Sequence, residues 1–389
     1  MASFDMLTPE SPDELIDAIT AATRAGTKIS LRGGGSKDGF GASTPDAQII
    51  DMRGFAGVVE YDPSELVLTV GAGTPLWVVR DLVAEEGQML AFDPFEHGPI
   101  LGRPDARATI GGVIAAGVSG SLRLTQGAAR DHLLGLEAIS GRGERFVAGG
   151  KVVKNVTGYD LPKLMTGSWG RLAAITQVTL KVLPRPRTRA TKIIIGLDCV
   201  TAVGAMSKAL ASQAEVSAAA YLPSSKLVNG ASLTALRVQG FAASVKARCA
   251  MLDRLFADHS PLTRLDDDKC ANFWNEIATL SSLDAGRTLW RLHVPPSRAA
   301  DMIDRFELAS SDWFLDWAGG LIWMLFDGPA DRLRNAAASV GGHATLVRAP
   351  QAMRHAVPAF HPPTPGVAAL EARVRRAFDP ASVFETGRF

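Results

Sequence analysis

Apolar and polar residues alternate along much of the chain, and stretches with helical periodicity separate the alternating segments. In the first half, the alternation predicts strands over residues 28–32, 47–52, 57–61, 66–70, 133–139, 145–147 and 172–182. Helices are predicted after Ser11-Pro12-Asp13-Glu14, a capping box with proline at N1, and after Thr74-Pro75. The first half is therefore rich in strands and contains a few helices.

The second half repeats one order of elements. Residues 191–257 predict strand, helix, strand, strand and helix, and residues 288–338 predict the same order again. This is the split-βαβ arrangement occurring twice, so we expect one antiparallel sheet with helices on one face. Pro184-Arg185-Pro186-Arg187 interrupts the pattern between the halves, which places the domain boundary there. The predicted fold class is α+β, with domains of residues 1–183 and 184–389.

Glycine is the informative excess, with 38 residues crowded towards the first half. Arg32-Gly33-Gly34-Gly35-Ser36-Lys37 directly follows a predicted strand. Successive glycines can turn their N–H groups into one concavity that binds a diphosphate, while Ser36 adds a hydroxyl donor and Lys37 adds a charge. Taken alone, such a loop is more often a surface turn. Neither a Walker A loop nor a complete GxGxxG fingerprint occurs, so the standard nucleotide cradles do not fit.

Thr109-Ile110-Gly111-Gly112 is a second glycine element. Thr109 is a candidate N-cap, so a helix that starts here would present free N–H groups and the positive end of its dipole. A tightly packed helix pair would also select glycine and alanine, and both interpretations stay open. A third element consists of residues 158–161, 167–170 and 174–176. Glycine signals this far apart in one domain indicate a long ligand that contacts all of them.

Charge and composition argue against several classes of protein. The formal net charge is +1, so no global field attracts nucleic acid. No apolar run reaches the roughly 18 residues of a membrane span, and the N-terminal sequence lacks the pattern of a secretory signal. Cys199, Cys249 and Cys270 lie far apart, which argues against a disulfide framework, a zinc site or a protein-held iron–sulfur cluster. We therefore expect a cytoplasmic protein without a metal site.

Four sequence segments occur in order at typical distances: RGGGSK, ATIGGVIAAGVSG, VVKNVTGYDLPKLMTGSWG and AAITQVTLKVLPRP. Together they resemble the PCMH-type FAD-binding domain of the vanillyl-alcohol-oxidase type flavoproteins. Within that family the chain is most similar to the small FAD-binding subunits of bacterial glycolate oxidase, also called glycolate dehydrogenase. The resemblance extends over essentially the whole chain, with its most specific motifs in residues 31–186. It implies an FAD-binding domain followed by a cap domain whose C-terminal tail returns towards the first domain.

The resemblance also implies which residues hold FAD. The first glycine loop would hold the pyrophosphate, the TIGG stretch would contact the dinucleotide, the following small residues would lie along the flavin, and the backbone near Ile175 would read the adenine. The implied residues are Gly33, Gly34, Gly35, Ser36, Lys37, Thr109, Gly111, Gly112, Gly117, Ser119, Gly120 and Ile175. His97 and His132 lie outside any recognisable attachment motif, so we expect non-covalent FAD. No catalytic residue is assigned.

For function, the resemblance implies an oxidoreductase subunit in a complex that oxidises glycolate to glyoxylate. A flavin accepts the hydride, which no side chain can do. The electrons would leave through two partners, a larger FAD-binding catalytic subunit and an iron–sulfur subunit, and any association with the inner membrane would come through them. Two alternatives stay open: a self-sufficient FAD-dependent dehydrogenase of 2-hydroxy acids, and a structural subunit whose flavin is not catalytic.

Three features bear on catalysis and on the family pattern. His97, in a loop expected near the flavin, is a candidate proton acceptor, although a solvent-facing histidine is the more common case. Gly341-Gly342-His343 resembles a reduced GDGN-type motif, and a single histidine of this kind is most often structural. This reduction argues against catalysis by the chain alone. Glu385 stands where the family ending has asparagine.

Overall fold

The computed structural model describes residues 6–150, 159–259 and 261–389, so residues 152–158 of the third quoted motif lie outside the described residues. The α-helices are α1 (Pro12–Ala25), α2 (Leu76–Glu85), α3 (Ile110–Ala116), α4 (Arg123–Gln126), α5 (Ala129–His132), α6 (Leu161–Met165), α7 (Cys199–Leu210), α8 (Ala242–Leu255), α9 (Asp267–Thr279), α10 (Ala299–Ile303), α11 (Ala330–Ser339), α12 (Gln351–Ala356) and α13 (Pro365–Phe378). Within the described ranges, no helix combines the length and the apolar character that crossing a membrane requires.

The strands follow the predicted segments closely, with bounds that differ by a few residues. They are β1 (Ile29–Arg32), β2 (Gln48–Asp51), β3 (Val58–Asp62), β4 (Val67–Gly71), β5 (Gln88–Met89), β6 (Leu133–Ser140), β7 (Arg145–Gly149), β8 (Ala173–Lys181), β9 (Leu183–Pro184), β10 (Thr188–Ile195), β11 (Ala218–Leu222), β12 (Leu233–Gly240), β13 (Thr263–Asp266), β14 (Leu289–His293), β15 (Trp313–Asp316), β16 (Leu321–Leu325) and β17 (His343–Arg348).

The chain forms two compact units. The first comprises Met1–Ser119, Gly127–Arg185 and Pro362–Phe389, and the second comprises Gly120–Gln126 and Pro186–His361. The main division along the chain thus lies next to the predicted boundary at residue 183. Two segments group differently from the sequence-based division: residues 120–126 belong to the second unit, and residues 362–389 belong to the first.

The largest sheet of the first unit has five antiparallel strands in the order β3-β4-β8-β6-β7. β8 lies at its centre, and Val178 of β8 pairs with Val70 of β4. The Asp62 carboxylate accepts the N–H groups of Ser64 and Glu65, which forms the tight turn between β3 and β4. β1 and β2 form a separate parallel pair, and β5 pairs with β9. The loop that follows β1 contains the three consecutive glycines, Gly33 to Gly35, as the sequence analysis expected.

Helix α1 begins and ends as its sequence predicts. Ser11 Oγ accepts the N–H of Glu14, and Gly26 ends the helix with a φ of 69°. The capping box is incomplete, because the Glu14 carboxylate accepts the N–H of Glu10 instead of that of Ser11. The buried face of the helix joins a small core of the first unit, which includes Leu15, Ile19, Ile29, Ile50 and Phe384.

The second unit is built on one eight-stranded antiparallel sheet with the order β13-β10-β12-β11-β15-β16-β14-β17. Counted outward from the middle, the first repeat is β11-β12-β10-β13 and the second is β15-β16-β14-β17. The predicted antiparallel sheet is confirmed, and its order makes the internal duplication visible. Sequence reasoning missed β13, which is the counterpart of β17 and completes the first repeat.

The repeat helices α7, α8, α10 and α11 pack with the sheet in the larger hydrophobic core, which includes Ala190, Ile194, Trp290 and Leu292. Thr191 lies between two of these core positions on β10 and therefore points to the opposite face. Its Oγ1 accepts the indole N–H of Trp274 and lies 3.1 Å from the thiol of Cys270, both on α9. The four repeat helices thus share one face as expected, whereas α9, which coincides with a helix that the sequence predicts near residues 272–279, packs on the other face.

Candidate functional site

A cleft in the first unit brings together the glycine loop after β1, the start of α3, strand β8 and the C-terminal tail. Of the residues predicted to hold a dinucleotide, nine line this cleft: Gly33, Gly34, Gly35, Ser36, Lys37, Thr109, Gly111, Gly112 and Ile175. Segments that are far apart in sequence therefore converge on one cavity.

The glycine loop packs directly against the segment before α3. A Cβ added at Gly33 would overlap Thr109 Oγ1, and a Cβ added at Gly34 would overlap the carbonyl oxygen of Arg107. Gly35 has a φ of 72°, a left-handed conformation that residues with side chains rarely adopt. Contact with the protein's own backbone therefore already requires glycine in this loop, before any ligand is considered.

The same loop leaves a row of N–H groups without an acceptor. Among the described residues, the backbone N–H groups of residues 34–37 donate no hydrogen bond, whereas that of Asp38 bonds to the Gly35 carbonyl. Gly35 and Ser36 are buried, and buried N–H groups without a partner are rare in folded proteins. Successive N–H groups in a tight turn form an anion-binding concavity, so the loop suits a diphosphate.

The Lys37 ammonium adds a positive charge to this part of the cleft. Its Nζ lies 4.0 Å from the position that a Cβ on Gly112 would occupy. Desolvation lowers the pKa of Lys37 to about 8; the Glu96 carboxylate opposes this change, and the Arg388 guanidinium adds to it. At neutral pH the side chain is therefore mainly protonated, and a bound anion would raise its pKa again.

Helix α3 begins as predicted, but most of its first N–H groups are already used. Thr109 Oγ1 accepts the N–H of Gly112 at 3.3 Å, which confirms the predicted N-cap. The N–H of Ile110 bonds to the Thr74 carbonyl, and that of Gly111 bonds to the Ala72 carbonyl. The expectation that this helix end offers free N–H groups was therefore wrong, because the connection from β4 to α2 takes them.

Gly111 and Gly112 serve different purposes. A Cβ on Gly111 would lie 2.6 Å from the Cβ of Ala72, so this glycine allows close packing. For Gly112, the nearest atoms to an added Cβ are Thr109 Oγ1 at 3.2 Å and Lys37 Nζ at 4.0 Å. A larger side chain at Gly112 would extend into the cleft. Of the two interpretations that the sequence left open, close packing applies to Gly111 and an open cradle applies to Gly112.

The C-terminal tail forms one edge of the cleft. Arg388 donates from Nε to the Phe40 carbonyl at 2.9 Å and from a terminal nitrogen to the Lys37 carbonyl. Trp169 stacks on Phe40 with ring centroids 4.3 Å apart, and Phe389 packs against both rings. These contacts fix the far end of the glycine loop against the tail.

Glu385 holds the tail by ion pairs. Its carboxylate accepts hydrogen bonds from the Nε and a terminal nitrogen of Arg171, both at 3.2 Å, and from Arg375 at 3.3 Å. Arg171 directly follows Gly170, which lines the cleft. An acid at this position, where the family ending has asparagine, therefore connects the tail to a wall of the cleft.

Three of the predicted residues do not line this cleft. Gly117 ends α3 with a φ of 64°, and Ser119 is buried, with its Oγ accepting the N–H of Ala129 at 3.0 Å. Gly120 belongs to the second unit, where its carbonyl accepts the indole N–H of Trp317 at 3.1 Å. The assignment of these three residues to flavin contact stays a prediction.

Neither histidine that the sequence singled out lines the cleft. His97 is buried, and its ring stacks on Phe95 with a centroid distance of 4.8 Å. The interpretation of His97 as a solvent-facing residue was therefore wrong. His343 is not isolated, since its ring centroid lies 4.7 Å from that of His293 in the second unit.

Sequence reasoning did not assign the remaining lining residues, which are Leu31, Arg32, Asp38, Met52, Ala72, Ala115, Ala116, Trp169, Gly170, Ala173 and Arg388. Signals existed for some of them: Trp169 and Gly170 belong to the third glycine element, and Arg388 belongs to the family-like ending. The apolar members gave no signal, because in sequence they look like ordinary core residues.

The unpaired N–H groups, the lysine and the open glycine together fit the diphosphate of a dinucleotide such as FAD. A family model described as an FAD binding domain matches residues 6–149. The structure of p-cresol methylhydroxylase with substrate bound shares the fold, with a TM-score of 0.73 over 98% of this chain and 88% of that chain at 15% identity. The protein is an FAD-binding flavoprotein, and the predicted α+β fold with its PCMH-type FAD-binding part is confirmed.

The glycolate oxidase subunit GlcE of Escherichia coli (strain K12) is 31% identical to this chain over 377 residues, which are 96% of each sequence. The chain belongs to the family of that subunit. The glycolate oxidase subunit GlcD of Bacillus subtilis (strain 168) is 29% identical over 192 residues, which are 49% of this chain and 39% of that subunit. GlcD therefore matches about half of this chain and has a longer sequence of its own.

Proposed function

We propose that this chain is the FAD-binding subunit of a complex that oxidises glycolate to glyoxylate and passes the electrons to partner subunits. Similarity to GlcE over 96% of the chain supports the assignment to such a complex. The structural observation that carries it is the row of unpaired N–H groups at residues 34–37 beside Lys37. Bound FAD would supply hydride acceptance, which protein side chains lack.

In this proposal, different residues of the cleft contact different parts of the dinucleotide. The N–H groups of residues 34–37 donate to the pyrophosphate, and Lys37 balances part of its charge. Gly112 leaves the space that the phosphates need. Ile175 contacts the adenine, as the resemblance implies. The contacts of Gly117, Ser119 and Gly120 with the flavin belong to the same proposal.

The FAD is bound non-covalently in this proposal. Neither His97 nor His132 lies in a recognisable attachment motif. His97 and His132 are buried, and their rings pack against Phe95 and Phe92.

In this proposal the electrons leave to a partner, since among the described residues no group of His, Cys, Asp or Glu side chains could hold a metal ion. Burial raises the pKa of each of the three thiols, and that of Cys199 rises to about 12. We infer that a larger FAD-binding subunit and an iron–sulfur subunit take over the electrons, and that any association with the inner membrane comes through them.

The test is a visible absorbance spectrum of the purified chain, recorded before and after anaerobic addition of glycolate. We expect a flavin band that glycolate does not bleach in the isolated chain but does bleach in the assembled complex. Absence of any flavin band, even after reconstitution with FAD, would refute the cofactor assignment. Unchanged glycolate oxidation in extracts of cells that lack this chain would refute its role in the complex.

Two other functions give different outcomes in the same experiments. Bleaching of the isolated chain would favour a self-sufficient FAD-dependent dehydrogenase of 2-hydroxy acids. A complex that keeps full activity when this chain can no longer bind FAD would favour a structural subunit. The pairing of His343 with His293 keeps the first alternative open, since the reduced motif does not stand alone.

A further inference from the structure

The second unit contains a partly buried arginine that forms no ion pair with any described residue. Arg291 lies on β14 between Trp290 and Leu292, which point into the helix-covered core, so Arg291 points to the opposite face of the sheet. Its Nε is buried without a hydrogen-bond partner. Among the described residues, the guanidinium forms neither an ion pair nor a hydrogen bond. Its terminal nitrogens also lack a partner among the described residues, but they are not fully buried, so a partner from outside the chain can reach them.

Two indole rings position the guanidinium. The Cζ of Arg291 lies 5.2 Å from the ring centroid of Trp317 and 5.6 Å from that of Trp323. Cation–π attraction stabilises the charge over the aromatic faces. Ring faces do not satisfy the N–H edge of the guanidinium, which carries five donors in a fixed plane. That edge is therefore available to an acceptor.

A second arginine and one carboxylate lie near Arg291. Arg123 also lies over the Trp317 ring, with its Cζ 4.4 Å from the centroid. The nearby Asp316 carboxylate already accepts hydrogen bonds from Ser121 Oγ at 2.8 Å and from the Trp317 N–H at 2.7 Å. Desolvation, followed by repulsion from Arg123, lowers the pKa of Arg291 to about 10, so the side chain stays charged at neutral pH.

The turn that presents Trp317 is strained. Trp317 and Ala318 have φ values of 51° and 54°, a left-handed conformation that is unfavourable for bulky side chains. The indole N–H of Trp317 donates to the Gly120 carbonyl at 3.1 Å, which fixes the far end of the ring. Strain of this kind persists where surrounding contacts enforce it, and it is frequent at functional sites.

A neutral histidine lies next to the arginine. His293 follows Arg291 by two residues on the same face of β14. Its ring stands perpendicular to that of Trp317, with a centroid distance of 5.2 Å. Burial, followed by the charge of Arg291 and the ring of His343, lowers the pKa of His293 well below its usual range. At neutral pH the imidazole is uncharged and can accept a hydrogen bond.

We propose that Arg291 binds the carboxylate of a small 2-hydroxy acid beside the indole rings of Trp317 and Trp323, and that His293 accepts a hydrogen bond from its hydroxyl group. The guanidinium fork matches a carboxylate in geometry. The choice of a 2-hydroxy acid rests on the proposed function, whereas the anion site itself rests on the contacts of Arg291.

The test is an anaerobic titration of the FAD-loaded full chain with glycolate and with acetate, without an electron acceptor and followed by tryptophan fluorescence. We expect saturable binding of both acids, and a Kd at least about 30-fold higher in Arg291→Met. Arg298→Met is the matched control, because Arg298 is exposed and pairs only with Asp301 among the described residues. His293→Phe should raise the Kd of glycolate to that of acetate and leave acetate binding unchanged.

Three outcomes would overturn the proposal: no binding of either acid to the wild type, a Kd for Arg291→Met within threefold of the wild-type value, or equal effects of Arg291→Met and Arg298→Met. If Arg291→Met does not fold, Arg291→Lys is the deciding variant, because lysine keeps the charge and lacks the planar fork of the guanidinium. We expect its Kd to be about five to tenfold higher than that of the wild type. An unchanged Kd would refute the proposal. Bleaching of the assembled complex by glycolate with an unchanged KM in Arg291→Met would keep the proposed function and refute this site. Binding to the isolated chain that depends on Arg291, without bleaching of the wild-type complex, would support this site and refute the proposed function.

Discussion

The two units build their candidate sites from different parts of the chain. The cleft of the first unit is mainly a backbone structure, with consecutive N–H groups at residues 34–37 and an open space at Gly112. The site proposed in the second unit is made of side chains, with Arg291 placed against Trp317 and Trp323. The cleft has the positive charge of Lys37, whereas the second site depends on the guanidinium of Arg291.

The difference determines which substitutions each site tolerates. A site made of backbone groups loses its ligand when an added Cβ or a larger side chain fills its space. Loss of a single functional side chain lowers its affinity without abolishing binding. A site made of side chains behaves in the opposite way, because truncation of its central arginine removes the interaction and leaves the backbone unchanged. Substitutions in both units therefore test this difference between the sites.

Gly112→Trp should have the largest effect. The new side chain would extend towards Lys37 and fill the cleft, since the nearest atoms to the added Cβ are side-chain atoms and not backbone. We expect FAD affinity to fall at least about 100-fold, or roughly 3 kcal/mol, with little change in the rest of the fold. Equilibrium titration with FAD, followed by flavin fluorescence, measures this loss.

Gly204→Trp is the control for that variant. Gly204 is an exposed glycine of α7 with nothing within 4 Å of an added Cβ, so tryptophan there should leave FAD binding unchanged. Retention of FAD by Gly112→Trp with wild-type affinity would show that the dinucleotide lies elsewhere.

Lys37→Met should have a graded effect. Loss of one charged contact to the pyrophosphate predicts an FAD Kd about 10- to 100-fold higher. The pH dependence follows from the lowered pKa of Lys37, about 8 in the free protein. A bound diphosphate raises that pKa, so the wild-type affinity should be constant below about pH 8 and fall by up to tenfold per pH unit above it. Lys37→Met should abolish this dependence, and the exposed Lys226→Met should keep it.

Much of the fold could be predicted from the sequence because its signals are local. The cap of α1, the alternating strands and the order of the duplicated unit all depend on residues close together in sequence. The loop at residues 33–37 was visible because a backbone cradle requires consecutive glycines. β13 was missed because its four residues are exposed except for Leu265, so no alternation marks them.

The rest of the site could not be predicted because its residues come together only by folding. Arg291 lies on β14, Trp323 on β16 and Trp317 in the turn after β15, and no sequence spacing joins them. The N–H groups at the start of α3 were wrongly expected to be free, because the sequence does not show that Thr74 and Ala72 accept them. Whether a donor is already paired is a property of tertiary structure.

Ser121→Ala should affect the second unit and leave the first unchanged. Ser121 Oγ donates to the buried Asp316 carboxylate at 2.8 Å, and both residues belong to the second unit. Loss of a hydrogen bond to a buried charge should cost about 1.5 to 3 kcal/mol and lower the Tm by about 3 to 8 °C. FAD affinity should not change. The exposed Ser311→Ala should alter neither quantity, and loss of FAD from Ser121→Ala would show that FAD binding also depends on the second unit.

Glu385→Gln should have the smallest effect of these substitutions. Its ion pairs with Arg171 and Arg375 are partly exposed, with 20%, 26% and 30% of the three side chains accessible, so water and salt screen them. We expect a loss of less than about 1 kcal/mol in the free energy of unfolding, and a difference from wild type that disappears at high ionic strength. Thermal unfolding at low and high salt measures this, with Glu371→Gln on the exposed face of α13 as the control. A larger loss that persists in salt, accompanied by weaker FAD binding, would show that the tail shapes the cleft and that the first site also depends on side chains.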